Sequence, residues 1–179
     1  GYIEEIKRLE ELDKRYIWHP FTQMKEWLQE EPIIITEGKG CFLKDTYGRW
    51  YLDGISSLWV NVHGHRKKEI DEAIKAQIDK ISHSTLLGLS NIPSIELAER
   101  LINCVNTSLF IDNKSGSPPR LTKVFYSDNG STSVEIALKM AFQYWVHKGV
   151  KGRDKFLSLK HAYHGDTIGA VSVGGIDIF

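Results

Sequence analysis

Residues 132–147 constrain this chain more than any other segment. Val134, Ile136, Ala137, Leu138, Met140, Ala141, Phe142, Tyr144 and Trp145 coat nearly the whole circumference of a helix, leaving a polar stripe of only Glu135, Lys139 and Gln143. A helix so coated is expected to be buried on most sides, between a sheet and a further layer or a partner chain. Its flanks agree with a sheet. Val124-Phe125-Tyr126 reads as a short strand before it, and Phe156-Leu157-Ser158-Leu159 as a second strand after it. The order strand, loop, helix, strand, loop, then the apolar run Ile168–Val173, predicts the start of a parallel α/β sheet. Its loops would collect at the carboxyl ends of the strands.

The preceding residues are organised differently. Ile6, Leu9, Leu12 and Tyr16 recur at spacings of three and four, with Glu4/Arg8, Glu10/Lys14 and Glu11/Arg15 as candidate i,i+4 pairs. That pattern predicts an amphipathic helix over 2–16, which Pro20 keeps from continuing through His19. From Ile33 the period drops to two. Three short runs (Ile33–Thr36, Cys41–Lys44, Arg49–Leu52) are separated by Gly38-Lys39-Gly40 and by Asp45-Thr46-Tyr47-Gly48, predicting a small antiparallel meander. Ile70, Ile74, Ile78 and Ile81 then mark a helix ending near His83, and a further helix is expected from Ser94 to Asn103. Residues 113–119 read as a loop. The expected division is 1–60, the N-terminal helix and meander, and 61–179, the start of a larger domain.

Composition closes off several classes of function. With 41% apolar residues in 179, the chain needs no metal or disulfide staple to build a core. Lys+Arg and Asp+Glu both number 23, so there is no electrostatic footprint for nucleic acid or for an anionic membrane surface. Cys41 and Cys104 form no CxxC and read as reduced thiols of a cytoplasmic protein. No apolar run approaches the length of a membrane span.

Two loops carry candidate chemistry. In Asp128-Asn129-Gly130-Ser131-Thr132, glycine lets backbone approach a ligand, and the free amides of a helix's first turn point outward. The hydroxyls of Ser131 and Thr132 add donors, so the segment reads as an anion cradle. The same residues also suit a plain N-cap. The segment is neither GxGxxG nor a Walker A motif. The second loop, Lys160 to Asp166, holds Tyr163 between His161 and His164. An aromatic ring there is placed to stack on a planar cofactor with Asp166 as a nearby acceptor, or equally to pack at a domain edge. His63-Gly64-His65 lacks further ligands at metal-site spacing, so no metal is expected. No G-x-S-x-G elbow is present for serine hydrolysis.

Taken in order, Trp18-His19-Pro20-Phe21-Thr22, Asp53-Gly54-Ile55-Ser56-Ser57-Leu58-Trp59, His63-Gly64-His65, Ser82-His83-Ser84, Asp128-Asn129-Gly130-Ser131, Glu135-Ile136-Ala137-Leu138-Lys139-Met140-Ala141 and Tyr163-His164-Gly165-Asp166-Thr167 resemble the class III pyridoxal-phosphate-dependent aminotransferases. The likeness runs over essentially the whole chain. It implies the α/β fold type I, with 1–60 as part of the small domain and 61–179 as the beginning of the large cofactor-binding domain.

The implied cofactor is pyridoxal 5'-phosphate (PLP), held at its phosphate by Gly130 and Ser131 and at its ring by Tyr163. Asp166 would lie at the substrate end, with Phe21, Leu58, Trp59 and Tyr163 lining the substrate pocket. The H-P-F-T and Y-H-G-D-T segments point within the family to members of biotin biosynthesis, which aminate 8-amino-7-oxononanoate as cytoplasmic homodimers. Phe21 and Leu58 depart from the Tyr and Trp typical of members using S-adenosylmethionine, so lysine would also fit as donor. Another class III ω-amine aminotransferase is the alternative. The family's Schiff-base lysine, pyridinium-pairing aspartate and carboxylate-binding arginine fall after Phe179. No catalytic residue is therefore expected in this chain, which by itself would be an inert N-terminal part.

Overall fold

The computed structural model describes residues 1–109 and 121–176, so the expected 113–119 loop lies outside the described residues. The chain divides into two compact units, Gly1–Ser84 and Thr85–Phe179. The first contains α1 (Tyr2–Tyr16), α2 (Met24–Trp27), β1 (Ile35–Lys39), β2 (Phe42–Asp45), β3 (Trp50–Leu52), α3 (Ser56–Trp59) and α4 (Lys68–Ile78). The second contains α5 (Ile92–Leu109), α6 (Gly130–His147) and α7 (Ile168–Ser172).

Helix α1 forms over the span its periodicity predicts, with Ile6 buried on its inner face and Tyr16 exposed. The expected i,i+4 ion pairs give way to local and tertiary partners. Arg8 instead forks onto both carboxylate oxygens of Glu5 at 2.9 and 2.6 Å, a planar bidentate match that one turn of spacing permits. Glu10 accepts the Tyr47 hydroxyl at 2.8 Å, and Tyr2 donates to the Thr46 carbonyl at 2.6 Å, so both tie α1 to the meander. In the last turn of α1, the Asp13 carboxylate meets His19 Nε2 at 3.1 Å and accepts Trp27 Nε1–H at 3.1 Å. That clasp fixes the chain as it leaves the helix.

The meander is antiparallel in the order β1-β2-β3. Its first hairpin is tighter than expected. Gly38 and Lys39 pair within β1, opposite Leu43 and Phe42, and only Gly40 and Cys41 make the turn. Gly40 supplies the positive φ of +57° that the first position of a II′-type hairpin needs. The second turn is organised by Asp45, which is fully buried. Its Oδ1 accepts the N–H groups of Tyr47 and Arg49 at 2.9 and 2.8 Å, and its Oδ2 accepts Arg49 Nε–H at 2.6 Å and the Tyr51 hydroxyl at 2.9 Å. Helix α4 stops at Ile78, short of the expected end near His83, and its Ile70, Ile74 and Ile78 are exposed together with Ile81.

In the second unit α5 is longer than expected at both ends. Asn91 Oδ1 caps it by accepting the Ser94 N–H at 3.0 Å, and Pro93 sits in the first turn, where no intrahelical donor is required. The expected strands at Val124–Tyr126 and Phe156–Leu159 form no ladder. An apolar run becomes a strand only when a neighbouring backbone pairs with it, and among the described residues neither segment has one. Nor is α6 buried on most sides as expected. None of its residues is fully buried, and Met140, Phe142, Tyr144 and Val146 are exposed. The side of α6 that meets α7 is partly covered, and there Ala170 is the buried apolar residue. No described helix is long and apolar enough to cross a membrane.

Candidate functional site

The site is built at the first turn of α6. Asn129, in extended backbone, is the N-cap. Its side chain accepts the Thr132 N–H at 2.9 Å, while the Thr132 hydroxyl accepts the Asn129 N–H at 3.2 Å. Ser127 also donates to that hydroxyl. Thr132 is therefore spent on the cap and adds nothing to an anion cradle. The cap leaves the N–H groups of Gly130 and Ser131 without partners among the described residues, at the positive end of an 18-residue helix. The cap thus forms as expected, using one set of groups and leaving the next pair of amides open. A Cβ added at Gly130 would meet no atom within 4 Å, so the helix start is open on that side.

Against this turn lies the loop that carries Tyr163. The Asp166 N–H donates to Ser131 Oγ at 3.0 Å, and the Tyr163 hydroxyl donates to Asp166 Oδ2 at 2.7 Å. That second bond pushes the Tyr163 phenol pKa up, because the adjacent carboxylate disfavours a phenolate. Four sequence-selected residues (Gly130, Ser131, Tyr163 and Asp166) are thereby brought into one cluster. Its donors suit a phosphate dianion: two amides, one hydroxyl and a helix N-terminus. Tyr163 sets an aromatic face beside them.

Phe21, Leu58 and Trp59 belong to the first unit, and all three are exposed. Leu58 and Trp59 ride on α3, which is wound left-handed. Ser56, Ser57, Leu58 and Trp59 have φ of +52°, +48°, +63° and +73°. Such a run costs roughly 1–2 kcal/mol per non-glycine residue. Asp53 holds it in place by accepting the Ser57 N–H and the Ser57 hydroxyl, each at 2.8 Å, and by meeting His65 Nε2 at 2.7 Å. The Ser57 N–H, the Ser57 hydroxyl and His65 together lower the Asp53 pKa below its usual value. His65 is thus committed to Asp53.

Sequence reasoning missed Glu135, which it read only as part of a polar stripe. Glu135 Oε1 accepts the Gly169 N–H at 2.6 Å. The buried Thr167 hydroxyl meets no acceptor in full hydrogen-bond geometry, yet it lies close enough to help, with the N–H groups of Gly169 and Ala170, to hold the Glu135 pKa down. The available signal was the i,i+4 spacing of Ser131 and Glu135, matched by Gly165 and Gly169.

Comparison with known proteins agrees with this architecture. The model of the aminotransferase class-III family matches residues 24–177. The chain is 53% identical over 175 residues to the adenosylmethionine-8-amino-7-oxononanoate aminotransferase of Geobacter sulfurreducens, covering 98% of this chain and 36% of that protein. It superposes on the crystal structure of the aminotransferase of the same name from Methanocaldococcus jannaschii with a TM-score of 0.84 at 55% identity, over 94% of this chain and 36% of that one.

An amine transaminase from an uncultivated Pseudomonas species, in its PLP-bound form, gives a TM-score of 0.77 at 34% identity, over 91% of this chain and 34% of that one. The chain spans about a third of the length of the curated relatives it matches. The α/β, fold type I expectation stands on these superpositions, although the parallel ladder is not formed among the described residues. By the extent of the family match and the agreement of the fold, the chain belongs to the class III aminotransferases.

Proposed function

We propose that this chain supplies the phosphate cradle and ring platform of a PLP-dependent aminotransferase that converts 8-amino-7-oxononanoate to 7,8-diaminononanoate in biotin biosynthesis. The observation that carries this reading is the cluster of open Gly130 and Ser131 amides with the Tyr163 loop hydrogen-bonded to Ser131. The likeness to the Geobacter sulfurreducens enzyme supports the choice of substrate.

In this reading Gly130 and Ser131 bind the cofactor phosphate, and Tyr163 presses on the ring. Asp166 fixes the Tyr163 hydroxyl by accepting its hydrogen bond at 2.7 Å. When bound, PLP supplies an electron sink for the carbanion left by proton removal. Phe21, Leu58 and Trp59 line the substrate pocket, and Asp53 keeps the strained turn bearing two of them in shape. The protein acts as a cytoplasmic homodimer, with S-adenosylmethionine or lysine as amino donor. The lysine that bonds the cofactor belongs to the remainder of the enzyme.

The full-length protein is expected to form 7,8-diaminononanoate from 8-amino-7-oxononanoate with one of these two donors. Product analysis by mass spectrometry reads the outcome. Absence of product with both donors, together with turnover of a simple ω-amine, would assign it to the other class III transaminases.

A further inference from the structure

We infer that Glu135 is a positioning residue which, paired with Ser131, latches the Tyr163–Asp166 loop onto the first two turns of α6, so that phosphate binding and ring placement are a single coupled event. This rests on the PLP reading above and goes beyond it, since it gives a role to a residue that touches neither phosphate nor ring.

The latch has matched teeth. Ser131 and Glu135 are i and i+4 on α6 and therefore share a face. Gly165 and Gly169, also four apart, lie directly against them. A Cβ on Gly165 would run into the Ser131 side chain, and one on Gly169 would run into the Glu135 carboxylate. Each contact is closed by a backbone N–H, Asp166 to Ser131 Oγ at 3.0 Å and Gly169 to Glu135 Oε1 at 2.6 Å.

The polarity of the first bond matters for the ligand. A serine hydroxyl has one proton, and because Ser131 Oγ is already accepting from the loop, that proton remains for donation to an anion. Asp166 thereby ties the Tyr163 hydroxyl to Ser131 through two separate groups, its carboxylate and its backbone N–H. Glu135 anchors the first turn of α7, into which that loop runs, and its pKa, lowered by Thr167, Gly169 and Ala170, keeps it an ionised acceptor at neutral pH.

The test uses the full-length holoenzyme with Glu135→Ala and Glu135→Gln, alone and combined with Ser131→Ala. PLP affinity is measured by titrating apoenzyme, and ring fixation by the circular dichroism band of the bound cofactor. Glu135→Ala is expected to weaken PLP binding about 10-fold or more and to shrink the dichroic band, the loss of a hydrogen bond to a charged group. Glu135→Gln, which keeps one acceptor oxygen, falls between it and the wild type. Combined with Ser131→Ala, the losses are less than multiplicative.

Wild-type affinity and band in Glu135→Gln and Glu135→Ala would overturn the inference. So would fully independent losses, or a lowered apoenzyme melting temperature with no change in PLP binding. If Glu135→Ala does not fold, Glu135→Gln decides alone. A wild-type protein that fails to bind PLP would instead overturn the functional reading.

Discussion

Replacing Gly165 by alanine is expected to weaken PLP binding by the full-length protein by roughly 10- to 2000-fold. Gly165 has φ +122°, and a Cβ there would lie 2.7 Å from the Ser131 Cα, an atom that cannot yield without moving α6. The strained backbone costs about 1–3 kcal/mol. Pushing the loop outward also forfeits the Asp166–Ser131 hydrogen bond, worth about 0.5–1.5 kcal/mol. Apoenzyme titration reads the change, and far-ultraviolet dichroism checks that the fold is kept. Wild-type affinity in Gly165→Ala would mean that the loop can stand off α6 at no cost.

The second large effect concerns the first unit. Asp45→Asn is expected to lower the melting temperature of the full-length protein by roughly 2–5 °C at neutral pH, the scale of unpairing a buried carboxylate from a half-exposed arginine in a protein of that size. The asparagine oxygen can keep the N–H groups of Tyr47 and Arg49, but its amide then turns a donor toward Arg49 Nε–H and the Tyr51 hydroxyl. Burial pushes the Asp45 pKa up, but Arg49 and Tyr51 pull it down further, so the net direction is downward. A folded pKa below the unfolded value of about 3.9 means that the stabilisation is complete above that pH and is lost as pH falls through the folded value. The gap between wild type and Asp45→Asn should therefore narrow below about pH 4. A gap unchanged between pH 7 and pH 3 would show that the carboxylate charge is not what holds the turn.

How much of this was legible in the sequence depended on whether the signal was local. Helix α1, the meander and the capped start of α6 follow from spacing and turn chemistry within a few residues, and each formed close to its expected position. Among the described residues the two expected strands did not pair, because a ladder depends on a neighbour that local pattern cannot supply. The same holds for the apolar coat of α6, since periodicity says that a face wants cover without saying what covers it. At the site, Gly130 and Ser131 were readable because a helix start announces its free amides. The spending of Thr132 on the cap was not, as it turns on the Ser127 and Asn129 contacts. Glu135 was hidden for a related reason. Its partner is a backbone N–H 34 residues away, which leaves no mark on the residue type at that position except a glycine.

The central claim is that the opening turn of α6 grips the cofactor through its phosphate. An electron-density map of the full-length protein with PLP decides it. The phosphate is expected within hydrogen-bond distance of the Gly130 and Ser131 N–H groups and the Ser131 hydroxyl, with the Tyr163 ring against the pyridine. A phosphate seated elsewhere, with those two amides facing water, would contradict the account.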